Sequence, residues 1–456
     1  VNNIIGSSNY DIGHVFSTGG GGIAGWGVVC SSSQKARGVT GSPSPQGDAF
    51  DIDYVAHEMG HQFRGSHSYN NSCSGNRSNS TSYEPGSGSS IMGYAGICSP
   101  NVQGNSDVLF HGISLEEIGS FITSSGDVCG TDTPLSNNPP SITGTNIDGN
   151  VSIPANTPFA LTMTATDPDG DALTYTWEQF DKQITPQPPQ ANSTTGPNFR
   201  SFNPSTSPTR HIPELLKVSL GIPTTWEVLS NVSRVFNFRA TVRDNAIGGG
   251  CNDHTDVSLN VDGNSGPFVV TAPNNPGGWW TVGQPAQVTW DIAGTDLSPV
   301  NCDKVDIFLS VNNGSSYPIQ LANDVPNQGQ WTVIAPNNVT IVARVMVISS
   351  NGTFFDVSDN NFKIQAATGI NDLSANQSVL SFYNNQKIEL SLSDVETGNY
   401  NVDVVNALGQ KVVSKEIRVE SRNEKFSIPF NNTSNGIYYI SISNEKAKYN
   451  AKFFKN

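Results

Sequence analysis

Three of the seven histidines lie within eleven residues, in the stretch YVAHEMGHQFRGSHSY that covers residues 54–69. His57 and His61 are four residues apart, and side chains at that spacing share one face of a helix, about 5–6 Å from each other. Two imidazoles placed in this way can bind one zinc ion, because zinc accepts nitrogen ligands in a tetrahedral site. The sequence therefore predicts a short helix that carries two ligands of one metal.

His67 follows six residues after His61, and on a continued helix it would be rotated by roughly 600° from it. It can reach the same ion only if the helix ends and the chain turns back. Gly65 allows such a turn, since glycine adopts positive φ at little cost. We therefore predict that His57, His61 and His67 hold Zn²⁺ and leave the fourth position for water, as in catalytic zinc sites.

Glu58 directly follows His57 and is predicted to lie beside that water. A carboxylate there can take the proton of the water while zinc lowers its pKa. The stretch SSIMGYAG at residues 89–96 supplies two further candidates. Met92 is either a hydrophobic floor under the metal or an ordinary core residue, and the Tyr94 phenol is either a donor to a developing oxyanion or a structural hydroxyl.

The composition favours an exported, β-rich protein. Of 456 residues, 14% are charged and the net charge is −15, which argues against nucleic acid or an anionic membrane surface as a partner. Glycine and proline are abundant, as in chains rich in turns and strands. No apolar run approaches the roughly 18 residues that span a bilayer. The chain starts at Val1 without a signal peptide, so we expect upstream processing.

The six cysteines form no CxxC pair, which argues against a cysteine-based zinc site. Their even number in an exported chain suggests disulfides, and six buried free thiols are the alternative. Nested pairs around the histidine cluster are the favoured pairing, although spacing alone does not determine connectivity. The candidates are Cys30 with Cys129, Cys73 with Cys98, and the remaining Cys251 and Cys302.

The pattern along the chain predicts several domains. In the first, helices are expected in DIDYVAHEMGHQF and at residues 114–125, where Ser114 and Glu117 form a capping-box pattern. The later segments alternate apolar and polar residues over short runs separated by turns, which is typical of β-sandwiches. The predicted segments are 1–130 with the metal motif, a proline-rich linker at 131–140, a sandwich at 141–265 with a proline-rich insertion at about 181–230, a sandwich at 266–368, and a β-rich unit at 369–456.

The motif HEMGHQFRGSH, followed by SSIMGY, resembles that of the metzincin zinc endopeptidases. Within that group, residues 1–130 look most like the reprolysin-like (ADAM-type) metallopeptidases secreted by Bacteroidetes bacteria. The strings GHVFSTGGGGIAGWGVVC and YEPGSGSSIMGYAGIC support this resemblance. It implies hydrolysis of peptide bonds in protein or peptide substrates. The implied roles are zinc ligation by His57, His61 and His67, general base catalysis by Glu58, and a Met-turn at Met92.

Two features depart from the metzincin pattern. That pattern has glycine three residues after the second histidine, where this chain has Arg64. A non-glycine residue with positive φ costs on the order of 1 kcal/mol, so either the turn shifts to Gly65 or Arg64 bears the strain. Only 56 residues precede His57. We therefore expect the chain to begin inside an α+β metzincin domain, whose missing part is either an associated partner or absent.

The β-rich segments resemble modules that follow such peptidases. SRVFNFRATVRDN and VNCDKVDIFLSVNNGSSYPIQLA look immunoglobulin-like or fibronectin-like. The last unit, with YNVDVVNALGQKV and GIYYISI, is similar to the C-terminal sorting domain of the type IX secretion system. That resemblance implies the secretion machinery as a partner of residues 369–456, and a secreted or cell-surface location.

Smaller signals leave alternatives open. Asp167, Asp169 and Asp171, with Asp244 completing the shell, predict either a Ca²⁺ site or an acidic turn without an ion. The adjacent residues Trp279 and Trp280 are either core packing or an exposed platform for a glycan or peptide.

His14 and His111 lack the spacing of metal ligands and are interpreted as structural. Contact with the substrate cleft is the alternative for His111. For the whole chain, two functions compete: a secreted zinc endopeptidase, and a non-catalytic surface adhesin with a relic zinc site. The intact Glu58 favours the first, and Arg64 keeps the second open.

Overall fold

A computed structural model describes residues 1–366, 378–384, 386–431, 434–445 and 447–455. They form two compact units, Val1–Gln365 and Ala366–Asn456, each with its own buried apolar core. The multidomain architecture, with a small α+β segment before β-sandwiches, agrees with the prediction. The predicted boundaries at 130, 140 and 265 lie inside the first unit and stay predictions. The boundary at 368 lies outside the described residues.

No helix among the described residues is both long enough and apolar enough to cross a bilayer.

The metal-motif segment contains four α-helices and a three-stranded sheet. The helices are α1 (Asn2–Ile5), α2 (Asp48–Phe50), α3 (His57–Gln62) and α4 (Gly112–Phe121). The strands are β1 (Val15–Ser17), β2 (Gly21–Ala24) and β3 (Gly38–Gly41), in the order β1-β3-β2. β2 runs antiparallel to β3 and β1 runs parallel to it. β2 is therefore an edge strand in the described part of the chain.

The predicted zinc helix is one continuous helical run. A π-helical stretch, Asp51–Ala56, joins α2 to α3. Wider turns of this kind insert one residue per turn and are frequent at functional sites. A second π-helical stretch, Ile122–Gly126, extends α4.

The predicted capping box at the start of α4 is wrong. The helix begins earlier, and His111 is its N-cap: the His111 Nδ1 accepts a hydrogen bond from the Ile113 amide at 3.1 Å. Ser114 therefore lies inside the first turn, and its buried hydroxyl has no hydrogen-bond partner among the described residues. Glu117 instead accepts from the amide (2.7 Å) and the hydroxyl (2.9 Å) of Ser66, the residue before His67.

The first sandwich packs a four-stranded sheet on a three-stranded sheet. Its strands are β4 (Ser141–Thr145), β5 (Val151–Pro154), β6 (Phe159–Thr166), β7 (Thr174–Gln179), β8 (Thr209–Ile212), β9 (Arg234–Arg243) and β10 (Asn252–Asp262). The sheet orders are β5-β10-β9-β7 and β4-β6-β8. The proline-rich insertion lies between β7 and β9, and it carries β8 and the expected short helix, α5 (Leu215–Ser219).

Alternation along β9 shows why this segment forms a strand of a sandwich. Phe236, Phe238 and the apolar residues that follow at every second position are buried in the core. Successive side chains of a strand point to opposite faces, so Arg239 and Arg243 lie on the other face of the sheet. The sheet thus has one apolar face for the core and one polar face for a neighbour.

The second sandwich follows directly and shares its core with the first. Its strands are β11 (Val269–Ala272), β12 (Trp279–Thr281), β13 (Pro285–Asp291), β14 (Lys304–Ser310), β15 (Ile319–Pro326), β16 (Gln330–Ile334), β17 (Thr340–Ser349), β18 (Phe355–Val357) and β19 (Phe362–Gln365). One sheet has the order β11-β13-β16, and the other has the order β12-β19-β17-β14-β15 with β18 beside β17. Trp280 packs on Phe362 with ring centroids 4.5 Å apart, whereas Trp279 is 65% exposed. Trp280 therefore packs in the core, as one alternative predicted, whereas Trp279 lies on the surface, as the other alternative requires.

The second unit is also built of two sheets. Its strands are β20 (Ser378–Asn384), β21 (Lys387–Ser393), β22 (Gly398–Asn406), β23 (Lys411–Val419), β24 (Glu424–Pro429), β25 (Gly436–Ser443) and β26 (Lys448–Lys455). The orders are β20-β21-β24 and β23-β22-β25-β26. Alternate residues such as Val402, Val404, Ile440 and Ile442 are buried between them.

Two of the predicted disulfides are present and one is not. Cys30–Cys129 and Cys73–Cys98 are bonded as expected. The assignment of Cys251 and Cys302 to a disulfide is wrong, since both are free thiols and lie in different sandwiches. Burial raises the pKa of the Cys302 thiol to about 12.

The polar face of β9 binds the metal-motif segment through α4. The Arg239 guanidinium stacks on the Phe180 ring at 4.0 Å and donates to Glu116 of α4 at 2.6 Å and to Asp256 at 2.7 Å. The His111 Nε2 lies 3.7 Å from Glu178 of β7, and both side chains are buried. His111 is thus a helix cap at this interface, and it is not among the described residues that line the cleft of the histidine cluster.

We predict that Arg239→Met destabilises the first unit by about 2 kcal/mol. The substitution keeps an apolar stem against Phe180 but removes the charged hydrogen bonds to Glu116 and Asp256, and a hydrogen bond to a charged group typically contributes about 1.5–3 kcal/mol. Urea unfolding of the full chain measures the change. Lys217→Met, which removes an exposed pair with Glu214, should change stability by less than about 0.5 kcal/mol. Equal unfolding midpoints for the two variants would contradict the role given to Arg239.

Candidate metal centre

The helix α3 places His57 and His61 on one face, with ring centroids 4.8 Å apart. It ends at Gln62 with Phe63 as the C-cap, and the next residue, Arg64, has a φ of 78°. The Gly65 amide donates to the Gly60 carbonyl at 2.8 Å and the Arg64 amide donates to the His61 carbonyl at 2.9 Å. These two bonds form a Schellman motif in which the left-handed position is usually a glycine. Arg64 therefore bears the strain, and the turn does not shift to Gly65.

Contacts of its side chain compensate for the backbone strain at Arg64. The guanidinium lies 4.9 Å from the centre of the Trp26 ring, a cation–π contact. The loop that carries Trp26 also closes the end of the helix, since the Gly27 and Val28 amides each donate at 2.9 Å to the carbonyls of His61 and Gln62. The turn that redirects the chain toward His67 is thus held by both the side chain and the backbone of one loop, residues 26–28.

The three imidazoles are oriented by backbone carbonyls. The Nδ1 atoms lie within hydrogen-bond distance of one carbonyl oxygen each: His57 with Ile91 (2.7 Å), His61 with Gly65 (2.8 Å) and His67 with Asn76 (2.5 Å). A carbonyl can only accept, so each Nδ1 carries the proton and each Nε2 presents a lone pair. The ligand atoms of the three rings all lie within 4.8 Å of one another, and the Nε2 atoms of His61 and His67 are 3.1 Å apart.

This donor set fits a zinc ion. Lone pairs 3.1 Å apart repel each other unless a cation lies between them. Burial lowers the pKa of all three histidines, and for His67 to about 4. The imidazoles are therefore neutral at pH 7, which is the form that binds a metal. Three neutral imidazoles are a ligand set known from catalytic zinc sites.

Glu58 lies beside this cluster and against strand β2. Its side chain is almost fully buried, and burial raises its pKa to about 7. A Cβ on Gly22 would come within 2.6 Å of the Glu58 Cγ, so only glycine allows the strand to approach the carboxylate this closely. The edge of β2 and the candidate base therefore border the same space.

Met92 is completely buried under the helix. A Cβ on Gly60 would lie 2.5 Å from its sulfur, and one on Gly65 would lie 3.6 Å away. Glycine at position 60 is therefore required by the close approach of Met92. The structure places Met92 under the ligand helix, and its influence on a bound metal stays a prediction.

Tyr94 forms a wall of the site. Its ring centroid lies 4.6 Å from that of His67 and 5.5 Å from that of His57. Burial and the nearby Glu58 raise the pKa of its phenol, which therefore stays a hydrogen-bond donor at neutral pH. Tyr69, which the sequence reasoning missed, packs on Tyr94 at 4.7 Å and is fully buried.

A cleft of about 730 Å³ opens beside these residues. Gly21 and Gly22 of β2 line one side, and the loop with Tyr94 lines the other. Cys73 also borders the cleft, and its disulfide to Cys98 joins the loop after His67 to the loop after Tyr94. The site is thus open to an extended ligand and held together covalently at one side.

Three of the four carboxylates predicted for a Ca²⁺ site lie close together in the structure. Carboxylate oxygens of Asp167, Asp171 and Asp244 lie within 4.8 Å of one another. Asp169 does not join them, because it accepts from the amide (2.6 Å) and the side chain (3.1 Å) of Asn138. Asp169 thus lies outside this group, and calcium binding by the predicted carboxylates stays a prediction. His14 is structural, since it contacts Gln62 at 2.6 Å and Thr40 at 2.7 Å.

The comparisons with known proteins bear on both ends of the chain. Residues 1–118 match the family model described as metallo-peptidase family M12B, reprolysin-like. Residues 383–456 match the secretion system C-terminal sorting domain. The sorting domain indicates export and a secreted or cell-surface location, as predicted. A comparison with curated proteins gives no match.

Several solved structures align with the chain at low similarity. They include the FN1-FN3 domains of chicken CNTN1 (13% identity, 70% of this chain and 100% of that one, TM-score 0.16) and Drosophila OTK extracellular domains 3-5 (12%, 71% and 99%, 0.16). The fibronectin(III)-like modules of Clostridium thermocellum CbhA align over 41% of this chain and 93% of that one, at 13% identity and a TM-score of 0.15. Structural similarity at such low TM-scores does not indicate a function.

A buried carboxylate that the sequence reasoning missed organises the reprolysin-like segment. Glu84 is 1% exposed and accepts hydrogen bonds from the Ser68 hydroxyl (2.5 Å), the Ser90 hydroxyl (2.5 Å) and the amides of Ser89 (2.9 Å) and Ser90 (3.0 Å). Ser68 follows His67, and Ser90 lies two residues before Met92. Glu84 therefore ties the loop after His67 to the loop before Met92. Nothing in the local pattern around position 84 indicates this role, because its partners come together only in the fold.

We predict that Arg64→Gly is more stable than Arg64→Ala by about 1 kcal/mol. Both variants lose the contact with Trp26, but only glycine adopts a φ of 78° without strain. The difference in stability between the two variants therefore measures the free-energy cost of the left-handed backbone conformation alone. The free energies of unfolding of the two proteins in urea provide the measurement, and equal values would show that the turn relaxes when the side chain is removed.

We predict that Glu84→Gln lowers the zinc affinity by about 10- to 100-fold, as expected when a group that orients a ligand is lost. Competition with a chromophoric chelator measures this. Glu227→Gln is the matched control, since Glu227 is also a buried carboxylate but pairs with Arg210 in the insertion. In a His67→Ala background the Glu84 substitution should have no further effect. An equal loss in that background would contradict a role through His67.

Proposed function

We propose that this protein is a secreted zinc-dependent endopeptidase. The observation that carries the proposal is the convergence of three imidazole lone pairs beside Glu58, in a cleft bordered by the edge strand β2. The match of residues 1–118 to the reprolysin-like family supports a metallopeptidase-like protein. The sorting domain supports an extracellular setting in which protein substrates are met.

A substrate is expected to bind as an extended strand along β2. In the described part of the chain, β2 pairs with β3 on one side only, so its other edge offers unpaired backbone donors and acceptors. Addition of a peptide to such an edge gives affinity through main-chain hydrogen bonds. Gly21 and Gly22 have no side chains that would prevent this approach, and both line the cleft.

Zinc held by His57, His61 and His67 would act as a Lewis acid that polarises the scissile carbonyl and lowers the pKa of a water. Glu58 would take the proton of the attacking water and deliver it to the nitrogen of the leaving amine. The new C–O bond then replaces the C–N bond, and the products are a carboxylic acid and an amine. The Tyr94 phenol would donate to the carbonyl oxygen as negative charge develops there.

The sorting unit supplies a second part of the proposal. Residues 369–456 are proposed to contact the type IX secretion machinery during export, as the match of residues 383–456 supports.

We predict that Glu58→Gln lowers the rate of casein cleavage by about 10²- to 10⁴-fold. The variant should still bind one zinc per chain. The substitution removes the base and leaves all three imidazoles in place. Cleavage by the unmodified protein should stop with 1,10-phenanthroline and return with added zinc. Glu424→Gln in the second unit is the control and should cleave normally.

Three results of this experiment would distinguish the candidate functions. Zinc binding with Glu58-dependent cleavage is the result expected for the endopeptidase. Zinc binding without any cleavage would favour a surface adhesin with a relic site. Failure to bind zinc under metal-replete conditions would contradict the metal site itself.

A further inference from the structure

The described residues that line the cleft beside the candidate metal centre include acidic side chains but no permanently cationic ones. Apart from Glu58, the only carboxylate among its described lining residues is Asp53, and none of those residues is a lysine or arginine. Asp53 precedes His57 by four residues in the same helical run. Both residues line the cleft, so Asp53 borders the same space as His57 and Glu58.

The Asp53 carboxylate is held in position by neutral donors. Its Oδ1 accepts from the Ser106 amide at 2.6 Å, and the Asn105 side-chain amide, with its nitrogen turned toward Asp53, donates to Oδ2 at 2.9 Å. A carboxylate has about four acceptor positions, so these two bonds leave room for another donor. No ion pair among the described residues includes Asp53. Its negative charge is therefore available to a ligand.

The surfaces around Asp53 suit a long side chain with an apolar stem. Phe50 and Tyr54 flank it on the helix, and Ile97, which is 70% exposed, also lines the cleft. Lysine and arginine pack their methylene stems on such surfaces and place the cation at the end. An acidic side chain would be repelled there.

We propose that the cleft selects peptides with lysine or arginine next to the scissile bond, and that Asp53 is the residue that determines this specificity. The inference rests on the proposed endopeptidase function. An arginine can form a charge-assisted hydrogen bond with the free side of the carboxylate. The neutral analogue citrulline has nearly the same shape and lacks the charge. We therefore expect a preference of about 10- to 100-fold for arginine over citrulline in kcat/KM.

The test uses the full chain loaded with zinc. Mass spectrometry of a casein digest first identifies the cleaved bonds. Two peptides built on one such site, with arginine or citrulline next to the scissile bond, are then compared. Asp53→Asn removes the charge and keeps an acceptor for the Ser106 amide, so the loop at residues 104–106 is retained. Asp51→Asn is the matched control, because Asp51 is exposed on the same π-helical stretch and does not line the cleft.

The expected result is that Asp53→Asn lowers kcat/KM for the arginine peptide by about 10- to 100-fold and leaves the citrulline peptide unchanged. Asp51→Asn should behave like the unmodified protein with both peptides. Equal cleavage of the two peptides by the unmodified protein would overturn the inference, as would an equal loss on both peptides in Asp53→Asn. Either result leaves the endopeptidase proposal intact. Absence of all Glu58-dependent cleavage would overturn both proposals.

Discussion

The site depends on one constraint: the helix that carries His57 and His61 must end at once, so that His67 can return to the same point. The Schellman motif at Arg64 meets this constraint, with two backbone hydrogen bonds and a residue in the left-handed conformation. If the helix continued for another turn, the third imidazole would point away. The same turn places the Gly65 carbonyl where it accepts from His61. The end of one helix thus orients the His61 imidazole directly and determines the path of the chain to His67.

The remaining parts of the segment stabilise that arrangement from three directions. Met92 packs beneath the helix against Gly60, Glu84 binds the loop after His67 to the loop before Met92, and Glu117 of α4 binds Ser66. The first sandwich is part of this support, because its Arg239 holds α4. The proline-rich insertion also contacts the segment, where Gln187 accepts from the Gly86 amide at 3.0 Å. The metal-motif segment and the first sandwich are therefore coupled within the first unit, which the composition of the intervening residues did not indicate.

The sequence predicted the features that depend on local spacing and failed on those that depend on distant contacts. The i, i+4 histidines, the two disulfides around the cluster and the alternating strands are written in short stretches, and they appear in the structure. The choice between Arg64 and Gly65 required the backbone. Glu84, Tyr69 and the N-cap role of His111 could not be predicted, because each depends on partners that are distant in sequence or on where a helix begins. Asp169 lies apart from the other three carboxylates because it binds Asn138, in a segment that the pattern identified only as a linker.

The coordination of bound zinc tests the account most directly. X-ray absorption at the zinc edge of the metal-replete protein should show one zinc per chain with three imidazole nitrogens at about 2.0–2.1 Å, one oxygen and no sulfur. His67→Ala should reduce the imidazole count to two. A spectrum with two imidazoles in the unmodified protein, or with sulfur ligands, would show that the turn at Arg64 does not bring His67 to the metal, and the account would be wrong at its centre.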